Sequence, residues 1–172
     1  GDIINLPEVV KLAEHHNASI MVDDAHSLGV LGKNGSGTAS HFGLTDKVDL
    51  IMGTFSKSFA SLGGFIASDK EVINFIKHNS RTLIFSASIP PANAAAALAA
   101  LEVMRDEPER VMRVQEIGHR MCKAYTEMGF NTGCSATPII PIIIGDDQMT
   151  FAFWKALFDA GVFVNPVISP AV

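Results

Sequence analysis

The stretch SIMVDDAH, Ser19–His26, decides the fold. Ile20, Met21 and Val22 make a short apolar run that stops in acid. A strand covered on both faces reads this way when its carboxyl end reaches a crevice, where charge meets water again. Asp23, Asp24 and His26 are therefore expected at a strand tip. Upstream, NLPEVVKLAEHHNAS (residues 5–19) spaces Leu6, Val9, Val10 and Ala13 along one helix face, with Asn5 as N-cap and Pro7 in the first turn. Downstream, GVLGKNGSGTASHFGL (29–44) is rich in glycine and hydroxyls and predicts a loop.

Further outward the alternation continues. VDLIMGTFS (48–56) and GGFIAS (63–68) predict strands, Asp69 caps a helix carrying Val72, Ile73 and Ile76, TLIFSAS (82–88) predicts a strand, and PPANAAAALAALEVMRDE (90–107) a helix opened by proline. From Val111 to Met128 apolar residues recur at three- and four-residue steps, predicting a long helix that Gly129 ends. TPIIPIIIGDD (137–147) predicts an edge strand containing Pro141, MTFAFWKALFDAG (149–161) a helix with its aromatic residues in a core, and VFVNPVI (162–168) a last strand. The pattern predicts an α/β fold, three-layer α/β/α with a mainly parallel sheet, over residues 1–107. Residues 108–172 are then a linking helix and part of a small α+β domain.

Composition narrows the function classes. Of the 172 residues 48% are apolar and 18% charged, which suits a packed domain, and the net charge of -5 offers no basic patch for nucleic acid. The two cysteines, Cys122 and Cys134, lack disulfide-framework or zinc-ligand spacing, so a reduced, cytoplasmic setting without structural metal is expected. No run is apolar for long enough to predict a membrane span. Starting on Gly1 and stopping after ISPAV, the chain reads as a piece of a longer one.

Two strand tips carry the candidate chemistry. At the first, Asp23, Asp24 and His26 could equally form a solvated turn with a helix cap. At the second, Thr54, Ser56 and Lys57 could be a surface lysine after a hydroxyl-rich turn. Against that, Lys57 is the only charge between Asp49 and Asp69 and lies between Phe55 and Phe59. Desolvation there would lower its pKa and free the amine as a nucleophile. Together, an amine able to form a Schiff base, a carboxylate for a pyridinium nitrogen and hydroxyls for a phosphate are what pyridoxal 5'-phosphate (PLP) requires. His15, His16, His41, His78 and His119 have no such setting.

VDDAHSLGVLGKNGSG, GTFSKSFASLGGFIAS and FSASIPP, in that order, resemble the α-oxoamine synthases, fold-type I PLP enzymes that condense an amino acid with an acyl-CoA and release CO2. The resemblance implies that 1–107 is part of a PLP-binding large domain. It assigns Asp23 to the pyridinium nitrogen, His26 to the ring's phenolic oxygen and Lys57 to the Schiff base. It places Thr54 and Ser56 at the phosphate, and Ser86 and Ala87 at the phosphate of a neighbouring subunit's cofactor. A homodimer with shared active sites is thereby implied. GTFSKS and FSAS lean towards the branch using L-serine and a long-chain acyl-CoA to make 3-ketosphinganine. Glycine C-acetyltransferase and 8-amino-7-oxononanoate synthase are the rivals within the family. The family's ring-stacking histidine and a serine would fall before Gly1, and its carboxylate-binding arginine beyond Val172. The 172 residues alone are therefore expected to turn over weakly or not at all, and a non-catalytic piece acting through its dimer surface is the alternative of another class.

Overall fold

The computed structural model describes residues 1–172. Helix α1 (Leu6–His16) starts with proline in its first turn and stops at Asn17, whose left-handed conformation (φ 51°) ends it. Its buried face, Leu6 and Val10, packs on Ile20 and Val22 of the segment that becomes strand β1 (Met21–Asp23). A glycine-rich loop follows, containing a 3-10 turn (Lys33–Gly35) and the single-turn helix α2 (Thr38–His41). A second 3-10 turn (Thr45–Lys47) leads into β2 (Leu50–Thr54), then β3 (Gly64–Ser68), α3 (Lys70–Asn79), α4 (Arg81–Ile84) and α5 (Pro91–Asp106).

The sheet order is β1-β2-β3. Strands β1 and β2 are parallel, with Asp23 opposite Met52, and β2 and β3 are antiparallel, with Thr54 opposite Gly64. The sheet of this chain is thus mixed. The register puts the ends of β1 and β2 and the start of β3 at one edge. Gly64 is required there, since a Cβ on it would meet the Gly53 carbonyl oxygen at 2.6 Å.

Two apolar clusters hold these elements. One joins α1 to Ile20, Val22, Ala39 and Ile51, and the other gathers Leu28, Phe59 and Ala97 with Phe55, Phe65 and Leu101. Each fully buried valine, leucine, isoleucine or phenylalanine side chain stabilises the fold by about 1.5–3 kcal/mol, and the alanines and half-buried residues by less.

The chain divides by packing into two units, Ile3–Ile117 and Gly118–Val172 with Gly1–Asp2. The junction expected near residue 107 is where α5 gives way to α6 (Glu109–Glu127), and the units part ten residues further along, within α6. The second unit contains the end of α6 and helix α7 (Asp147–Asp159), whose start is capped by the Asp146 carboxylate accepting from the Met149 amide at 2.8 Å. No residue of α7 is buried, so the core role expected for its aromatic residues is not observed.

Three expected strands are absent. Residues 82–88 begin in α4 and continue irregularly, and 137–147 and 162–168 carry no ladder. An apolar run becomes a strand only where a neighbour takes its hydrogen bonds. Between 137 and 145 Pro138 and Pro141 offer no donor, and Ile143 spends its amide on the Asn131 carbonyl at 2.8 Å.

Candidate active site

The site grows from the common edge of β1 and β2. Alternation along β1 buries Val22, exposes Asp23, and turns Asp24 inward with no accessible surface. Asp23 accepts a hydrogen bond from the Ala25 amide at 2.9 Å and is otherwise open. Asp24 is saturated. Its carboxylate accepts from the Ser27 hydroxyl and from the Thr38 amide (3.0 Å), while its carbonyl accepts from the Ser27 and Leu28 amides at 3.1 and 3.0 Å. The resulting tight turn holds His26 outward and exposed. Gly37 lies directly against the buried carboxylate, where a Cβ would fall 2.3 Å from Oδ2 of Asp24.

The second tip is a closed turn between β2 and β3. The Phe55 amide donates to the Gly63 carbonyl (2.9 Å), the Ser61 amide to Phe55 (2.7 Å) and the Ala60 amide to Lys57 (2.9 Å). Ala60 is left-handed, at φ 48°, a conformation that costs a residue with a Cβ about 1–2 kcal/mol. The Thr54 hydroxyl lies 2.9 Å from that of Ser56, donates to the Gly63 carbonyl at 3.1 Å, and accepts from the Ser56 amide at 3.3 Å. The amides of Lys57 and Ser58 meet no acceptor in the chain, so the turn presents free N–H groups beside two hydroxyls.

Lys57 itself is exposed, which corrects the expectation of a desolvated amine. Phe55 and Phe59 do not enclose it. Their rings pack on each other with centroids 5.7 Å apart, Phe55 also packs on Phe65 (5.6 Å), and Phe59 is buried with Leu28 and Ala97. Ser86 and Ala87, beyond α4, are also exposed, and the Ser86 hydroxyl donates to the Thr82 carbonyl at 2.5 Å. No hydrogen bond joins them to the Lys57 turn. Their segment reaches it through Ile89, which lies against Gly63.

The structure thus brings Asp23, His26, Thr54, Ser56 and Lys57 to one sheet edge and leaves Ser86 and Ala87 on a separate segment. Sequence reasoning groups Asp24 with Asp23 at the strand tip, and strand alternation separates the two. Ser58, which donates to the Leu28 carbonyl at 2.8 Å, escaped sequence reasoning because its partner lies thirty residues earlier. No three His, Cys, Asp or Glu side chains gather as a metal site.

The mixed sheet carries an acid, an imidazole, an amine and a hydroxyl pair at the carboxyl edge of its parallel strands, and comparison with known proteins gives the family. The chain belongs to the aminotransferase class I and II family, whose pattern matches residues 1–172. Among curated proteins it is 58% identical over 172 residues to a serine palmitoyltransferase of Sphingobacterium spiritivorum and 44% identical to an 8-amino-7-oxononanoate synthase of Thermosipho melanesiensis. It covers all of its own length in both matches, but only 43% and 44% of those proteins. Among solved structures, a serine palmitoyltransferase of S. paucimobilis with bound PLP and myriocin superimposes with a TM-score of 0.95 at 33% identity, and one of Sphingomonas wittichii with 0.93 at 32%. The chain covers 44% of each.

Proposed function

We propose that the chain carries part of a PLP-dependent acyltransferase that condenses L-serine with a long-chain acyl-CoA, palmitoyl-CoA foremost, releasing CO2 and CoA and giving a 3-ketosphinganine-type product. The observation that carries this reading is the parallel β1–β2 joint, which delivers Asp23 and the Lys57 turn to the same edge. The donor set fits the cofactor: an open carboxylate, an exposed imidazole, an exposed amine, and two hydroxyls beside unpartnered amides.

In this reading Asp23 would keep a proton on the ring nitrogen, and His26 would hold the phenolic oxygen. Thr54, Ser56 and the free amides of their turn take the phosphate. Lys57 Nζ would hold the aldehyde carbon and, once released from it as the amino acid's own amine takes that place, would move the proton at the amino-acid α-carbon. When bound, PLP supplies the electron sink that makes that carbon acidic. Ser86 and Ala87, on their exposed segment, are offered to a second subunit, so the working form is a homodimer. No helix is long and apolar enough to cross a membrane, and a cytoplasmic setting is part of the proposal.

The test uses the complete protein. A Schiff-base absorbance band with added PLP, lost in Lys57→Ala, is expected, together with CoA release fastest for serine and palmitoyl-CoA among serine, glycine and alanine paired with short and long acyl-CoAs. A band unchanged by Lys57→Ala would sink the cofactor assignment. Because relatives at 44% identity are 8-amino-7-oxononanoate synthases, alanine with a dicarboxylic acyl-CoA is the second pair to assay.

A further inference from the structure

The turns that carry His26 and Lys57 come from opposite sides of a long loop, and a single hydrogen bond joins them. The His26 turn is rigid, because Asp24 takes the amides of Ser27 and Leu28 on its carbonyl and the Ser27 hydroxyl on its carboxylate. That fixes the Leu28 carbonyl, whose side chain is buried with Phe59 and Ala97. The Lys57 turn is closed on itself and held to α5 by the Ser61 hydroxyl, which donates to the Asn93 carbonyl at 2.7 Å. Between the two turns, the Ser58 hydroxyl donates to the Leu28 carbonyl at 2.8 Å.

Ser58 is exposed, but on the Gly29 side of this bond the chain approaches closely. A Cβ on Gly29, which is left-handed at φ 77°, would lie 2.6 Å from the Ser58 Cβ. On its other side Gly29 donates its amide to the Gly35 carbonyl at 2.7 Å, and a Cβ on Gly35 would lie 2.8 Å from the Gly29 Cα. Gly29 and Gly35 therefore meet backbone to backbone beside the Ser58 side chain, at the point where Ser58 makes its bond. Its hydroxyl is spent on the Leu28 carbonyl.

We infer that Ser58 is a positioning residue: by holding the Leu28 carbonyl it sets the Lys57 turn against the His26 turn at the separation the cofactor needs. The inference rests on the proposed PLP reading, and it assigns Ser58 no contact with cofactor or substrate. Placement errors near 1 Å at a reacting group cost about a hundredfold in rate, so loss of one such tether is expected to be felt.

The experiment compares the complete wild-type protein with Ser58→Ala, Gly29→Ala and the double variant. Ser58→Ala is expected to fold and to form the lysine–PLP absorbance band, but to bind PLP about tenfold more weakly and to titrate that band at a shifted pH, because Lys57 and His26 no longer face the ring together. Its kcat should fall about tenfold to a hundredfold while KM for the amino acid stays nearly constant. Gly29→Ala displaces the same contact, so the double variant should be no worse than the worse single one. Equal PLP affinity, band titration and kcat in wild type and Ser58→Ala would overturn the inference while leaving the PLP reading intact. Absence of the band in wild type would overturn both.

Discussion

Asp24 is fully buried, and its neighbour Asp23 is exposed; the difference is one step of strand alternation. Asp24→Ala leaves the Thr38 amide without its acceptor in a site closed to water, and leaves the Ser27 hydroxyl only its longer bond to the residue-24 carbonyl, 3.3 Å. Bonds to a charged group are worth about 1.5–3 kcal/mol, so this variant should lose about 3 kcal/mol in urea melts. Asp24→Asn, which keeps one acceptor oxygen, should lose less. A loss below 0.5 kcal/mol for Asp24→Ala would mean, on the same scale, that the turn does not depend on the carboxylate. The residues that sequence alone brings into view, Asp23, His26, Thr54, Ser56 and Lys57, are those whose types name a chemistry. Their surroundings were harder to read. Aromatic neighbours suggested burial of Lys57, but Phe55 and Phe59 turn to Phe65 and Leu28, and chain neighbours need not be spatial neighbours.

At the scale of elements, helices were legible wherever a cap and a 3.6-residue period coincided, as in α1, α5, α6 and α7. Strands were legible only where a partner existed. β1, β2 and β3 satisfy one another, whereas the isoleucine run around Pro141 finds no ladder within these residues. Gly118 is a local exception in α6. Alanine there gains up to about 1 kcal/mol in helix propensity, yet its Cβ would meet the Pro138 Cα at 2.8 Å. Backbone cannot give way as a flexible side chain does, so Gly118→Ala should destabilise the protein by about 1–3 kcal/mol in a chemical melt. If it stabilises, the segment at Pro138 does not pack on α6 as described.

The link between α1 and the turn before β2 makes a pH prediction. Lys47 donates to Glu14 at 2.7 Å, and that bond together with the Glu14 charge raises the lysine above its ordinary 10.5. A raised lysine contributes stability that is complete below its unfolded value and fades as pH climbs through the folded one. Wild type should therefore lose slightly more stability than Lys47→Met on going from pH 9 to strongly alkaline solution, and salt should shrink the difference, since both side chains are exposed. Equal alkaline slopes would show that the pair contributes nothing.

At the scale of the whole molecule, the accessible surface is 12014 Å² for 18.4 kDa, whereas a monomer of that mass typically exposes about 8,200 Å². Much of the excess is apolar: Phe75, Phe85 and Phe163 are 66%, 85% and 80% exposed. Since the chain spans less than half the length of its curated relatives, the 172 residues expressed alone should bind a hydrophobic dye strongly, and the complete protein much less. Hydrogen exchange should be slowest in β1, β2 and α1, which share a buried cluster, and fast in α7, which buries nothing. Comparable protection in α7 would contradict this ranking.

Strand β2 has a near partner and a far one. Its joint with β3 closes only residues 55–63, while its joint with β1 must first close residues 24–49. The longer closure costs about 1 kcal/mol more chain entropy before any ladder repays it. The hairpin is thus the natural folding nucleus, and docking of β1 is the later event. Conservative substitutions in β3 should slow refolding, with φ-values near those of a formed contact, whereas Val22→Ala should act mainly by speeding unfolding. In the proposed reading the order bears on the chemistry too: the Lys57 turn should form with the hairpin, and Asp23 should join it when β1 docks.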